Sequence, residues 1–262
     1  MDPRLLDRLA ADAWPPLERR ALGGWWLRAA GGVTKRANSV LTSGPVDDAE
    51  QAIAAAEAFA REQGIPPLFQ LGPATLPADL PERLARRGYA PHERTLVLTG
   101  SVAEALAALG SAAAEPAETP ETPAATSIET ADAPGEDWLS LWWSVDGRGG
   151  DSERAIAQRI LEGCDSSYAL LRDASGPAAC GRLARATAED GEPWVGLFAL
   201  ATRPDARRRG HAAAILRALL EQAVARGTDR LWIQVLADNA AARRLYASLG
   251  CRESSHYEYW RP

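Results

Sequence analysis

Cysteine is scarce in this chain. Cys164, Cys180 and Cys251 lie far apart and in odd number, which argues against a disulfide framework and against a C-x-x-C metal site. They read as core thiols and fit a reducing, cytoplasmic setting. Histidine is equally sparse: His92, His211 and His256 have no metal-ligand spacing, so no metal is expected. No run of 18 apolar residues occurs, and no membrane-spanning helix is expected. The opening MDPRLLDRLAADAW lacks the basic stretch and apolar run of a signal peptide. A broad basic field is missing too. The net charge is -6, so nonspecific binding to nucleic-acid phosphate is not expected. No G-K-[ST] occurs, which excludes a Walker loop, and the absence of G-x-G-x-x-G argues against a Rossmann dinucleotide site.

What is present suits a globular chain. With 262 residues, 46% of them hydrophobic, it can form one large domain or two modest ones, each with an apolar core. Residues 111–127, SAAAEPAETPETPAATS, contain Ala, Pro, Thr and Glu with no aromatic anchor. Such a stretch buries too little surface to offset its ordering entropy, and its prolines favour extension. It reads as a linker between residues 1–110 and 128–262.

Before the linker, residues 1–21 read as a helix, and LGGWWLRAAGG and VTKRANSVLT as strands turning at Gly31-Gly32. A helix over 46–63, a strand PLFQLG, a helix over 80–87 and a strand over 89–99 follow. After it, helices are expected over 136–143, 151–162, 209–226 and 240–249. Strands are expected over 168–172, 178–187, 194–202, 231–236 and 255–259. LARRGYAPHERTLVL and LYASLGCRESSHYEYW both read as helix, Gly, strand. That similarity suggests an internal repeat whose first copy lacks the Arg/Gly segment described next.

In VGLFALATRPDARRRGHAAAILRALLEQAVARG, an apolar strand runs through an Arg/Gly turn into a long helix. The first turn of a helix leaves backbone N–H groups unpaired, and with the helix dipole these form an anion site. Gly210 lets a phosphate approach, and Arg207, Arg208 and Arg209 add local positive charge. A phosphorylated cofactor is one reading; a solvated turn is the other.

The segment resembles the Gcn5-related N-acetyltransferases (GNAT), whose signature [QR]-x-x-G-x-[GA] is met by Arg207, Gly210 and Ala212. The family's downstream pattern is met by Asn239, Ala242, Leu245, Tyr246, Leu249 and Gly250. The resemblance covers about residues 126–260. It implies a mixed α/β fold, with a twisted, mainly antiparallel sheet splayed where acetyl-CoA enters. It implies that acetyl-CoA, as acyl-donor cosubstrate, is gripped by Arg207, Arg208, Arg209, Gly210, His211 and Ala212. Leu200, Ala201 and Thr202 would hold its pantetheine arm, Asn239 would lie beside it, and Tyr246 would protonate the departing thiolate. The acceptor would be a small-molecule or peptide amine, with no nucleic acid or membrane partner.

The chain departs from the commoner pattern in lacking an acidic residue on the strand VGLFALAT. Asp190 and Glu192 just before it are the candidates for a base, though both suit a solvated loop. Residues 20–100 resemble the partial acetyltransferase-like domain of tandem members. They would shape the substrate groove, with Trp25, Arg28, Lys35, Arg36 and Asn38 facing it or serving as structural pairs. The rival reading is a coenzyme-binding or partner-binding protein without turnover, motivated by the missing strand carboxylate.

Overall fold

The computed structural model describes residues 1–112 and 126–262. Helix α1 (Pro3–Ala13) opens the chain, with the Asp2 carboxylate accepting from the Arg4 N–H. It stops short of the sequence expectation because Pro15 and Pro16 cannot continue a helix. Strands β1 (Glu18–Leu22) and β2 (Trp25–Ala29) form a hairpin. Its turn, Gly23-Gly24, is one the sequence reading lacks; the expected turn at Gly31-Gly32 is also present, both residues having positive φ, and beyond it Trp26 pairs antiparallel with Leu41. A Cβ on Gly24 would lie 2.5 Å from the Gly44 backbone, so only glycine closes this hairpin tip. The polar segment expected as a second long strand is a loop that ends in the short β3 (Val40–Leu41). Asn38 ties it together: its amide oxygen accepts from the Ala30 and Gly32 N–H groups, and its amide nitrogen donates to the Val33 and Thr34 carbonyls.

Helix α2 (Ala49–Glu62), strand β4 (Phe69–Leu71), helix α3 (Leu80–Arg86) and strand β5 (Ala90–Ser101) complete the expected first part. A further helix, α4 (Val102–Ala112), follows. The sequence reading passed over it because its alanine-rich pattern merges into the proposed linker. Most of that linker, 111–127, lies outside the described residues. Beyond it come β6 (Ser127–Ala131), α5 (Glu136–Asp146), α6 (Asp151–Leu161), β7 (Ser166–Asp173), β8 (Gly176–Thr187) and β9 (Pro193–Thr202). Then α7 (His211–Ala225), β10 (Arg230–Leu236), α8 (Ala240–Ser248) and β11 (Arg252–Arg261) close the described chain.

The fold is mixed α/β, as the sequence reading expects. All 11 strands form one sheet in the order β1-β2-β3-β4-β11-β5-β10-β9-β8-β7-β6. Outward from the antiparallel β5/β11 pair, the two sides match. β4 and β3 are parallel and joined through α2; β10 and β9 are parallel and joined through α7. The next pairs outward are antiparallel on both sides. The last strand of each part is exchanged. β5 lies between β10 and β11, and β11 lies between β4 and β5.

Three apolar layers hold the sheet. On one face α7 packs Ile215, Leu216, Leu219 and Leu220 against Val195, Leu197, Leu231 and Ile233. On the opposite face α1 and α5 bring Leu6, Trp14, Trp138 and Trp142 onto Trp194, Phe198, Trp232 and Tyr257. Under the first part, Ile53 and Phe59 of α2 pack on Trp25 and Phe69. Gly196 makes room in the second layer, since a Cβ there would stand 2.5 Å from the Trp232 ring. At about 25 cal/mol per Å² of buried apolar surface, these layers are the main favourable term in the fold.

Candidate active site

The parallel pairing of β9 with β10 ends at Leu197 and Ile233. Past that point β9 stays on β8 through Thr202, while β10 stays on β5 through Leu236. A wedge therefore opens between them. A bulge produces the divergence: from Cys180 to Arg182 on β8, the partner positions on β9 run from Ala201 back to Phe198. Ala199 within it has φ of 50°, an uncommon conformation for a residue with a side chain. The extra residue places both Phe198 and Ala199 toward the α5 face. Leu200, Ala201 and Thr202 form the β9 edge of the wedge beyond this bulge.

The start of α7 lies just past that edge. Gly210 is its N-cap, with φ of 78°, and among the described residues no side chain accepts from the first N–H groups of the helix. A Cβ on Gly210 would meet nothing within 4 Å, so the approach is open. Arg203 is held by Asp173 at 2.9 Å and Asp205 at 2.6 Å. Arg207, Arg208 and Arg209 are exposed, and no ion pair engages them among the described residues. Arg207 Nε donates to the Thr202 carbonyl at 3.3 Å, tying the turn to the strand end. His211 is buried with its Nε2 unpartnered, and Ala212 is half-buried on the first turn.

Three features together fit a pyrophosphate group: unpaired N–H donors, an open glycine and unpaired cations. The matching position in the first part is closed. There the Asp48 carboxylate caps α2, accepting from the Glu50 and Gln51 N–H groups at 2.9 and 3.1 Å.

Tyr246 on α8 packs in the same layer as α7, with Val235, Leu249 and Cys251. Its hydroxyl makes no hydrogen bond among the described residues, and burial, reinforced by Cys251 and Asp146, pushes it up to about 12. Asn239 is exposed and caps α8, its side chain accepting from the Ala242 N–H at 3.1 Å. Burial pushes the Cys180 and Cys251 thiols up to about 12 and 11, so neither is a thiolate near neutral pH.

Asp190 and Glu192 lie elsewhere. Asp190 accepts from the Glu192 N–H in a turn, and Glu192 pairs with Arg230 at the opposite end of β9. From Glu192 to Leu200 an extended strand spans about 25 Å. The sequence reading overlooked Asp146, the last residue of α5. Its charge acts on both Tyr246 and Cys180, and its carboxyl is raised by burial against the pull of Arg148 and Arg207. Only its place at a helix end beside a glycine could have hinted at it.

No group of three or more His, Cys, Asp or Glu side chains able to hold a metal occurs among the described residues. No helix among them is long and apolar enough to cross a membrane.

Comparison with known proteins agrees with this architecture. Residues 2–260 match the family described as "Probable histone acetyltransferase Rv0428c C-terminal". The chain is 26% identical over 261 residues to the Uncharacterized N-acetyltransferase YobR of Bacillus subtilis, covering 98% of each. Among solved structures, a GCN5-related N-acetyltransferase from Kribbella flavida superposes with a TM-score of 0.65 at 16% identity, covering 97% of this chain and 94% of that one. A tandem GNAT protein from the clavulanic acid biosynthesis pathway superposes with a TM-score of 0.62 at 13% identity, covering 98% of this chain and 87% of that one.

Proposed function

The chain belongs to the family described as "Probable histone acetyltransferase Rv0428c C-terminal" and has the GNAT fold, and from that premise we propose that it moves an acetyl group from acetyl-CoA directly to a primary amine. The observation that carries this reading is the uncapped start of α7 at Gly210, flanked by three unpaired arginines at the mouth of the β9/β10 wedge.

In this reading the first N–H groups of α7 and the residues Arg207, Arg208, Arg209, Gly210, His211 and Ala212 hold the pyrophosphate. The backbone of Leu200, Ala201 and Thr202 aligns the pantetheine arm, and Asn239 lies beside it. Only residues 128–262 carry the coenzyme site, because Asp48 fills the corresponding place in α2. Residues 1–110 act as a partial acetyltransferase-like unit that shapes the acceptor side, joined through residues 111–127.

Acetyl-CoA supplies an activated acyl thioester. In the transfer the amine nitrogen bonds to the acyl carbon and the carbon–sulfur bond breaks; one proton leaves nitrogen and one joins sulfur. Asp146 is the proton acceptor at the amine, since its raised carboxyl is closer to neutrality than an ordinary aspartate. Tyr246 is the proton donor at sulfur. Burial keeps its phenol protonated near pH 7. A phenol is a weak acid that can give its proton to a departing thiolate.

The experiment is calorimetric titration with acetyl-CoA, followed by a CoA-release screen across amine classes. Binding with acetyl-CoA-dependent CoA release on at least one amine is the expected result. Absence of binding overturns the reading. Binding without release on any amine leaves a coenzyme-binding protein without turnover.

A further inference from the structure

Of the five residues that the sequence places near a groove in the first part, four are committed to structure. Trp25 is buried, and its indole N–H donates to the Leu76 carbonyl at 2.8 Å. Arg28 is buried and donates to the Ser39 carbonyl and hydroxyl and to Gln70 Oε1. Lys35 pairs with Glu93. Asn38 makes the four loop hydrogen bonds described above. Arg36 is the exception. No carboxylate pairs with it among the described residues, and its buried Nε has no hydrogen-bond partner.

Arg36 belongs to the loop over 30–39, yet its guanidinium reaches the second part. It stands 5.3 Å from the Trp14 ring centroid and 5.5 Å from that of Phe198. The phenols of Tyr257 and Tyr259 are its polar neighbours on β11. Phe198 is the residue at which β9 leaves β10. In the parallel register the position beside it is Gln234, the next residue after Ile233. Gln234 lies on the same face as Trp232, and its Oε1 is likewise buried without a partner. Tyr257 takes one hydrogen bond from the guanidinium, but Arg36 Nε and Gln234 Oε1, a cationic donor and a neutral acceptor, are each left without a partner among the described residues on the face of the sheet that carries Phe198. A buried polar atom without a partner is costly, and a ligand that meets both atoms removes that cost.

We propose that Arg36 and Gln234 form an acceptor subsite for an amine that also carries a carboxylate, of the free α-amino-acid type. This rests on the acetyl-transfer reading above. The planar guanidinium takes the carboxylate through its paired donors. The Gln234 carbonyl accepts from the amine and holds it at the strand edge where the acyl carbon would lie. The rings of Trp14 and Phe198 wall the subsite and keep the charge pair away from water, which strengthens it. A polyamine or a lysine-rich peptide would set cation against cation at Arg36.

The test has two measurements on the full chain. The first is the kcat/KM for free amino acids and for their C-terminal amides, with the wild type, Arg36→Gln and Arg36→Lys. The expected result is at least a tenfold preference for the carboxylates. Arg36→Gln should erase it by raising KM for the acids alone, and Arg36→Lys should restore part of it. A wild-type preference for amides or polyamines, or a carboxylate preference that survives Arg36→Gln, overturns the proposal.

The second is calorimetric titration with the same free amino acids without coenzyme, alongside acetyl-CoA titration of each protein. If acetyl-CoA does not bind, the transfer reading fails by itself. Amino-acid binding that is lost in Arg36→Gln then still supports the subsite, and absence of amino-acid binding overturns it. Unchanged acetyl-CoA affinity in both variants shows that they are folded.

Discussion

Asp48 and Gly210 stand at equivalent places in the two matching sides of the sheet, each as the N-cap of the helix that joins two parallel strands. Asp48 closes its helix with a carboxylate; Gly210 leaves its helix open. The pair suggests a direct exchange. Gly210→Asp should supply the missing cap and repel phosphate. The new side chain has free space, and aspartate tolerates the left-handed backbone at a cost of about 1 kcal/mol. We expect a folded protein whose acetyl-CoA affinity falls by at least about 100-fold, roughly 2.7 kcal/mol. Calorimetry together with circular dichroism checks it, and unchanged affinity in a folded variant removes the phosphate site from α7.

Tyr246→Phe should separate binding from turnover. The ring and its packing against Leu249 and Val235 remain, so acetyl-CoA affinity should stay within about tenfold, or ~1.4 kcal/mol. The proton at sulfur is lost, and kcat should fall about 10²-fold or more. Steady-state kinetics with an identified acceptor provide the measurement. An unchanged kcat would make Tyr246 a packing residue only.

Asp146 must be ionised to accept a proton, so kcat should decline as pH falls through its carboxyl pKa. That pKa is raised by burial, which places this limb above the ordinary aspartate value of about 3.9. Asp146→Asn should abolish the limb and lower kcat about 10²-fold at neutral pH. The acceptor amine's own titration is common to both proteins and cancels in the ratio of their pH profiles. A ratio independent of pH counts against this role.

Asp7 offers a stability measurement independent of the site. Burial pushes its carboxyl up to about 7, with Asp2 adding repulsion and Arg28 opposing. In the unfolded chain it titrates near about 3.9. Between those values the folded state keeps a proton that the unfolded state has released. Stability should therefore fall as pH rises through that window and level off above it, by up to about 4 kcal/mol. Asp7→Asn should flatten the curve. Denaturant melts at pH 5 and pH 8 decide; equal slopes for both proteins would place Asp7 in a wetter setting.

A fragment of residues 126–262 should fail to fold alone. It retains the whole α7 site but loses β5, leaving β10 and β11 without the strand between them. It also loses α1 and the residue after it, whose Leu6, Leu9 and Trp14 complete the layer over Trp194 and Trp232. Circular dichroism and amide-proton dispersion test this, with co-expressed residues 1–112 as the rescue. A dispersed spectrum from the fragment by itself would show that the exchanged strand is dispensable.

Much of this architecture was legible because its signals are local. The helix over Ala49–Glu62 is announced by Asp48 and ended by Gly64, and Gly88 and Gly250 mark the paired helix-to-strand steps before β5 and β11. The Arg/Gly turn before α7 was legible for the same reason. The exchange of β5 and β11 was not. Alternation along a strand says which residues face the core but not which strand lies alongside. The roles of Asp146, Arg36 and Gln234 were hidden for a related reason: α5, the loop over 30–39 and β10 meet only when the sheet forms. The turn at Gly31-Gly32 was legible, but the hairpin before it was not: Glu18–Leu22 is polar and exposed, and nothing local announces that it pairs with β2 across Gly23-Gly24.

The reciprocal seating of β5 and β11 has a bearing on synthesis. While the chain emerges from the ribosome, β4 has no neighbour on its inner side until residues 252–261 appear. The first hundred residues therefore wait with an open strand edge, and such edges invite pairing with other chains. Contacts between residues about 190 positions apart, such as Phe69 with Trp260, also make assembly slow. Pairing of the open β4 edge with another chain is thus the misassembly route that this exchange of strands opens during synthesis.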